Sequence, residues 1–218
     1  MYFKYGIEEI EYLKKKDPVL GQAIDQIGPI KREVSSDLFS SVVHHIIGQQ
    51  ISSAAQRTVW KCLCDLSGTV NAGTLCACDR DTLQSCGMTY KKADYIKDFA
   101  QKVLDGEFDV EALKDLPDED IVKDLSTLKG IGVWTAEMLM IFCLQRPDVV
   151  SYGDLAILRG MRMLYRHRQI DRKKFNRYAR RYSPYGTTAS LYLWAIAGGA
   201  VPEWKDPAPK KVKMNKKE

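Results

Sequence analysis

The residues best placed for chemistry are a turn, Gly130-Ile131-Gly132, and one carboxylate, Asp154. The turn sits in the string LKGIGVWTAEMLMIFCL, from Leu128 to Leu144. Two glycines one residue apart let the backbone turn tightly and approach a ligand closely. With Ile131 turned inward, the amide N–H groups at the mouth of the following helix point outward. A helix N-terminus of this kind is an anion site. It can hold a backbone phosphate without reading any base. The same short string also suits a plain hinge between two helices. Asp154 follows in the string SYGDLAI. Asp is a good N-cap, so it reads as a helix start. A carboxylate there is also a charge that the helix dipole favours.

The elements that must position these groups are helical. Residues 133–144 are apolar almost all round, so they form a buried helix, broken at Pro147. Asp118 is the expected cap of the helix before the turn, and Asp154 opens a helix to about Tyr165. Asp17-Pro18 starts an amphipathic helix that Gly28-Pro29 stops. Ser36 or Asp37 starts the next, interrupted at Gly48-Gln49-Gln50, and Ser52 or Ser53 caps a third. Residues 69–88 read as short helices and turns, and Thr89 caps a helix to Leu104. Arg172–Tyr182 and Thr188–Ala197 complete the set. No segment keeps the alternation of a strand, so the fold is expected to be all-α.

The chain has 218 residues and a formal net charge of +5. That charge is uneven. Residues 159–181 carry ten Lys or Arg against one acid, Asp171. A basic block beside a phosphate-binding turn suits a polyanion partner better than a plain solvated face. No apolar run reaches the roughly eighteen residues that span a bilayer, and the N-terminus has no signal-like apolar core. The protein is therefore expected inside the cell, away from any membrane. The six cysteines (62, 64, 76, 78, 86 and 143) show no C-x-x-C spacing, so reduced thiols are expected rather than a zinc site. His44 and His45 lie on a helix of apolar periodicity and read as structural. Residues 203–218 carry six Lys and three acids with two prolines, and read as a basic disordered tail.

Taken together, the strings resemble the helix-hairpin-helix (HhH-GPD) DNA glycosylase superfamily, and within it the alkylpurine, or 3-methyladenine, branch. The resemblance rests on LKGIGVWTAEMLMIFCL, RPDVVSYGDLAILRG, HHIIGQQIS and SLYLWAIAGG, and covers Asp17 to about Val201. It implies a glycosylase domain over 1–202 in two helical halves: 36–145 as the central bundle, and 1–35 with 146–202 as the second half. The hairpin and Asp154 would lie at the cleft between them. Asp154 matches the family's catalytic position. Trp134, Trp194 and Met138 match positions lining the pocket for a flipped base. Aromatic faces suit a cationic alkylated base. Met138 stands where an aromatic residue is common, which changes the pocket's shape. Gln50 matches the wedge that fills the gap left in the duplex. Lys129, Gly130, Ile131, Gly132 and Thr135 form the phosphate-binding hairpin, with a monovalent cation at the carbonyls of Leu128 and Gly130 when DNA is bound. No other cofactor is implied: the iron–sulfur members have four closely spaced C-terminal cysteines, and this chain has none after Cys143.

The resemblance therefore implies a monomeric enzyme acting on double-stranded DNA, in the cytoplasm or nucleoid, or in a nucleus. Relatives that also cut the strand carry a nucleophilic Lys at the position of Trp134, so base removal without lyase chemistry is expected. Two other readings are a glycosylase for a deaminated or oxidised base, and a hairpin module that binds DNA without chemistry. Asp154 with paired tryptophans favours the enzyme, since docking alone needs neither.

Overall fold

A computed structural model describes residues 1–209. Among these there are twelve α-helices, one short 3-10 helix and no β-strand. The described residues divide into two compact units. One comprises Met1 with Glu33–Arg146, and the other Tyr2–Arg32 with Pro147 onward.

The first unit holds α3 (Leu38–Gly48), α4 (Ser53–Ser67), α5 (Ala72–Ala77), α6 (Arg80–Ser85), α7 (Tyr90–Leu104), α8 (Asp118–Leu125) and α9 (Val133–Phe142). Five of its helices, α3 to α7, start where a side chain satisfies an orphan amide. Asp37 accepts from Ser40 N at 3.0 Å, Ser52 from Ala55 N at 3.2 Å and Thr89 from Lys92 N at 3.3 Å. The choice between Ser36 and Asp37, and between Ser52 and Ser53, is thus settled by these bonds. The core runs through Val42, Val43, Ile46 and Ile47 of α3, all without exposure, and through Ile96 and Phe99 of α7. Each such side chain contributes about 1.5–3 kcal/mol on burial. Phe39 stacks on Phe99 with ring centres 4.8 Å apart. α7 packs against α3, α5 and α6, and α9 packs against α3 and α8.

The second unit holds α1 (Ile7–Lys16), α2 (Pro18–Ile27), α10 (Leu155–Tyr165), α11 (Arg172–Tyr182) and α12 (Gly186–Ala197). α1 was not among the expected helices; at its start the Glu9 carboxylate accepts from Gly6 N at 2.8 Å. α12 begins two residues before the expected Thr188 and is buried almost all round, with α10, α2, α1 and α11 packed on it. Gly160 on α10 makes the closest approach possible: a Cβ there would lie 2.2 Å from the Leu193 carbonyl oxygen of α12. Buried Asp17 ties three helices together. It caps α2 through Leu20 N at 3.1 Å, and accepts from Tyr165 Oη at 2.8 Å and Arg181 at 3.1 Å. Burial raises the pKa of the Tyr165 hydroxyl, so it stays a donor.

Residues 203–209, expected to be disordered, are packed in part. Trp204 packs on the core of the second unit, and Arg162 holds Asp206 through two bonds of 2.9 and 2.6 Å. The expectation for 210–218 lies outside the described residues.

Candidate DNA-binding and base-excision residues

In the first unit, α8, the turn and α9 form a helix-hairpin-helix. α8 starts at Asp118 itself, which is a helical residue behind Pro117 rather than the cap. Leu128 and Ile131 are buried, and Ile131 N donates to the Leu128 carbonyl at 3.0 Å, which closes the turn. Gly130 has φ +86, and a Cβ there would fall 2.5 Å from the Tyr95 ring. Conformation and space both demand glycine. Gly132 differs. It is the N-cap of α9 with φ −100 and ψ 173, no side chain caps the helix, and a Cβ there would meet nothing within 4 Å. The mouth of α9 is thus open at Gly132, with exposed Val133 beside it.

Lys129 is exposed but paired: it donates to Asp98 at 2.5 Å, which holds the Asp98 carboxyl below its ordinary pKa. Thr135, expected in the phosphate-binding hairpin, has a buried side chain, 6 % exposed, and lies with Ala136 and Leu139 on the inner face of α9. The two expected pocket residues on α9 also differ: Trp134 is 46 % exposed, whereas Met138 is packed inside at 3 %. The apolar string alone could not separate them, because a helix that is apolar all round carries no direction.

Gln50 is exposed and has φ 58, the left-handed conformation that a non-glycine residue seldom adopts. Its neighbour Ile51 is 39 % exposed, an apolar side chain the sequence reading passed over. Gln49 Nε2 donates to the Gly130 carbonyl at 2.5 Å. The Leu128 carbonyl accepts from Ile131 N and the Gly130 carbonyl from Gln49 Nε2.

In the second unit, Asp154 is 7 % exposed and caps α10. Its Oδ1 accepts from Ala156 N at 2.8 Å and Ile157 N at 2.9 Å. The same oxygen accepts from the indole N–H of Trp194 at 3.2 Å. Three donors fix the carboxylate's rotation through one oxygen. The sequence paired Trp194 with a base; the structure also pairs it with Asp154. Leu155, next in the chain, is 80 % exposed. The basic segment is partly spoken for: Arg181 is held by Asp17, Arg162 by Asp206, and Arg172 lies over the Tyr152 ring at 4.6 Å. Among the described residues no cluster of His, Cys, Asp or Glu could hold a metal ion, and no helix is long and apolar enough to cross a membrane.

Residues 43–184 match the model of the HhH-GPD superfamily of base excision DNA repair proteins. The chain belongs to that superfamily. It is 30% identical to DNA-3-methyladenine glycosylase 1 of Schizosaccharomyces pombe, over 72% of this chain and 71% of that one. The fold is similar to the crystal structure of DNA-3-methyladenine glycosidase from Bacillus halodurans, with TM-score 0.85 and 31% identity over 94% of this chain and 95% of that one. It is similar also to the S. pombe 3-methyladenine DNA glycosylase in complex with abasic DNA, with TM-score 0.74 and 26% identity over 86% and 95% of the two chains. As an HhH-GPD protein the chain presents the superfamily's hairpin, on α8 and α9, and an Asp-capped helix, α10.

Proposed function

We propose that this chain is a monofunctional DNA glycosylase that flips alkylated purines of the 3-methyladenine type out of the duplex and hydrolyses their N-glycosidic bond. The carrying observation is Asp154, buried at the mouth of α10 with one oxygen bound by two backbone amides and by Trp194. The names of the relatives supply the substrate class.

In this reading the bond from C1′ to the base breaks, and its electron pair leaves with the base. A purine alkylated to a cation departs neutral. The sugar is left with oxocarbenium character, which the Asp154 carboxylate stabilises while it orients a water. The water oxygen bonds to C1′ and its proton passes to solvent, leaving an abasic site. Trp134 and Trp194 supply aromatic faces for the flipped base. Met138, buried one turn along α9 from Trp134, affects the pocket through how the first unit packs. Trp134 stands where a lyase would need an amine, so the strand stays intact.

The N-terminal amides of α9 and the backbone of Gly130 and Gly132 hold one phosphate, with Gln50 entering the gap in the stack. A monovalent cation at the carbonyls of Leu128 and Gly130 would add charge between hairpin and phosphate. The basic segment 159–181 adds further phosphate contacts. The protein works as a monomer inside the cell, where its DNA is.

A panel of alkylated, deaminated and oxidised duplexes, heated in alkali after incubation, tests this reading. Alkylated purines should be released, with no strand cleavage before alkali and no borohydride-trapped adduct. Asp154→Asn should still bind an abasic duplex but lose most excision. Near wild-type turnover by that variant, or a trapped adduct, would refute the assignment.

A further inference from the structure

Helix α7 carries three polar side chains, three residues apart, that each reach a segment assigned to DNA. Positions so spaced share one face of a helix. Lys92 Nζ donates to the carbonyls of Ile47 at 2.8 Å and Gln49 at 2.6 Å. These carbonyls close the C-terminal end of α3, where no helical amide remains to serve them. A cation there also suits the negative end of the helix dipole. One turn on, the Tyr95 ring fills the space beside Gly130. One turn further, Asp98 accepts from Lys129 at 2.5 Å. Gln49 closes the circuit, its side-chain amide donating to the Gly130 carbonyl. Gln50 follows directly, in its left-handed conformation.

The segment carrying Gln50 and the phosphate-binding hairpin are therefore held to one face of one helix, and to each other. The Lys92 and Gln49 bonds are internal to the protein, and the Lys92 amine is assigned neither to the phosphate nor to the glycosidic bond. We propose that Lys92, acting with Gln49, is a positioning residue for base opening: it sets where Gln50 stands relative to the phosphate gripped by the hairpin. This rests on the glycosylase reading above. A wedge must meet the stack at a fixed distance from the held phosphate. Without Lys92 the hairpin still binds its phosphate, but the segment carrying the wedge no longer holds it at the gap. Burial lowers the pKa of the Lys92 amine, in keeping with its place between two carbonyls.

The test is single-turnover release of 7-methylguanine from two duplexes, one with cytosine opposite the lesion and one with an abasic gap opposite. Opening a base that has no partner costs less, so the second duplex depends less on the wedge. Lys92→Met should slow release from the paired duplex by about ten- to a hundred-fold, the worth of a charge-assisted hydrogen bond. On the gapped duplex it should stay within a few-fold of wild type, with an unchanged salt dependence of binding. Lys92→Arg should recover most of the paired rate. Gln49→Met, which removes only the link to Gly130, should show the same selective loss in a normally folded protein. Equal loss on both duplexes, or full activity of both Met variants on the paired one, would overturn the proposal while leaving the glycosylase reading intact. A wild-type chain that releases no base from either duplex would overturn both.

Discussion

Replacing Gly132 by Asp separates the fold from the DNA contact. At this N-cap the backbone angles, φ −100 and ψ 173, are open to any residue, and the space a Cβ would enter is empty. Asp is a better N-cap than Gly by a few tenths of a kcal/mol, because its carboxylate accepts the orphan amides. The variant should therefore melt at or slightly above the wild-type temperature. The same carboxylate occupies the amides proposed to hold the phosphate. Loss of charge-assisted bonds to phosphate costs about 1.5–3 kcal/mol. Repulsion between carboxylate and phosphate about 4 Å apart adds about 1 kcal/mol in water-like surroundings, and about 4 near a protein surface. The low end, about 2.5 kcal/mol, is a loss of roughly 60-fold in affinity. The slope of log affinity against log salt should also become shallower by about 0.9, one phosphate's share. Anisotropy with a labelled abasic duplex over a salt series reads both quantities, and thermal melting reads the fold. Gly132→Ala, without charge or acceptor, should bind within a few-fold of wild type. A folded Gly132→Asp protein with wild-type affinity and slope would refute the hairpin as the phosphate anchor.

Other perturbations probe the second unit and the histidines. Trp194→Phe keeps an aromatic face but loses the N–H that donates to Asp154; excision should fall about tenfold, near the low end for a hydrogen bond to a charged group, and unchanged single-turnover rates would leave Trp194 with stacking alone. Asp17→Ala removes the α2 cap and the buried acceptor of Tyr165; a loss of about 2–4 kcal/mol is expected in denaturant unfolding, and a loss under about 1 kcal/mol would show the network to be dispensable. His44 and His45 have lowered pKa values, chiefly from burial. Their neutral forms are favoured in the folded state, so this stability is present above the unfolded value of about 6.5 and is lost as pH falls below it. His45, bonded through Nδ1 to the Ser41 carbonyl at 2.8 Å, carries its proton on that nitrogen when neutral; the melting temperature should drop between about pH 7 and 5, and His45→Gln should flatten that drop.

The local chemistry of this protein was legible in the chain. Asp17, Asp37, Ser52, Thr89 and Asp154 each cap a helix through an amide two or three residues on. Such bonds depend on residue type and near spacing, which is what a sequence contains. The all-α class followed from the same caps and from the helical period, and the family from ordered strings around the hairpin and Asp154. The misses also have local causes. α1 was missed because only Ile7, Ile10 and Leu13 carry its period and no side chain caps its first turn; Glu9 accepts only from Gly6 N. What only the tertiary structure decided is direction and partnership across distance. In α9, apolar on every side, packing against α3 and α8 turned Thr135 and Met138 inward and left Trp134 open. The Trp194–Asp154 bond joins positions 40 apart, and Gln49–Gly130 joins positions 81 apart. No spacing rule links such pairs, because their meeting depends on how whole helices pack. The sequence could name Gln50 as a wedge, but only the packed unit placed Lys92 under the carbonyls beside it.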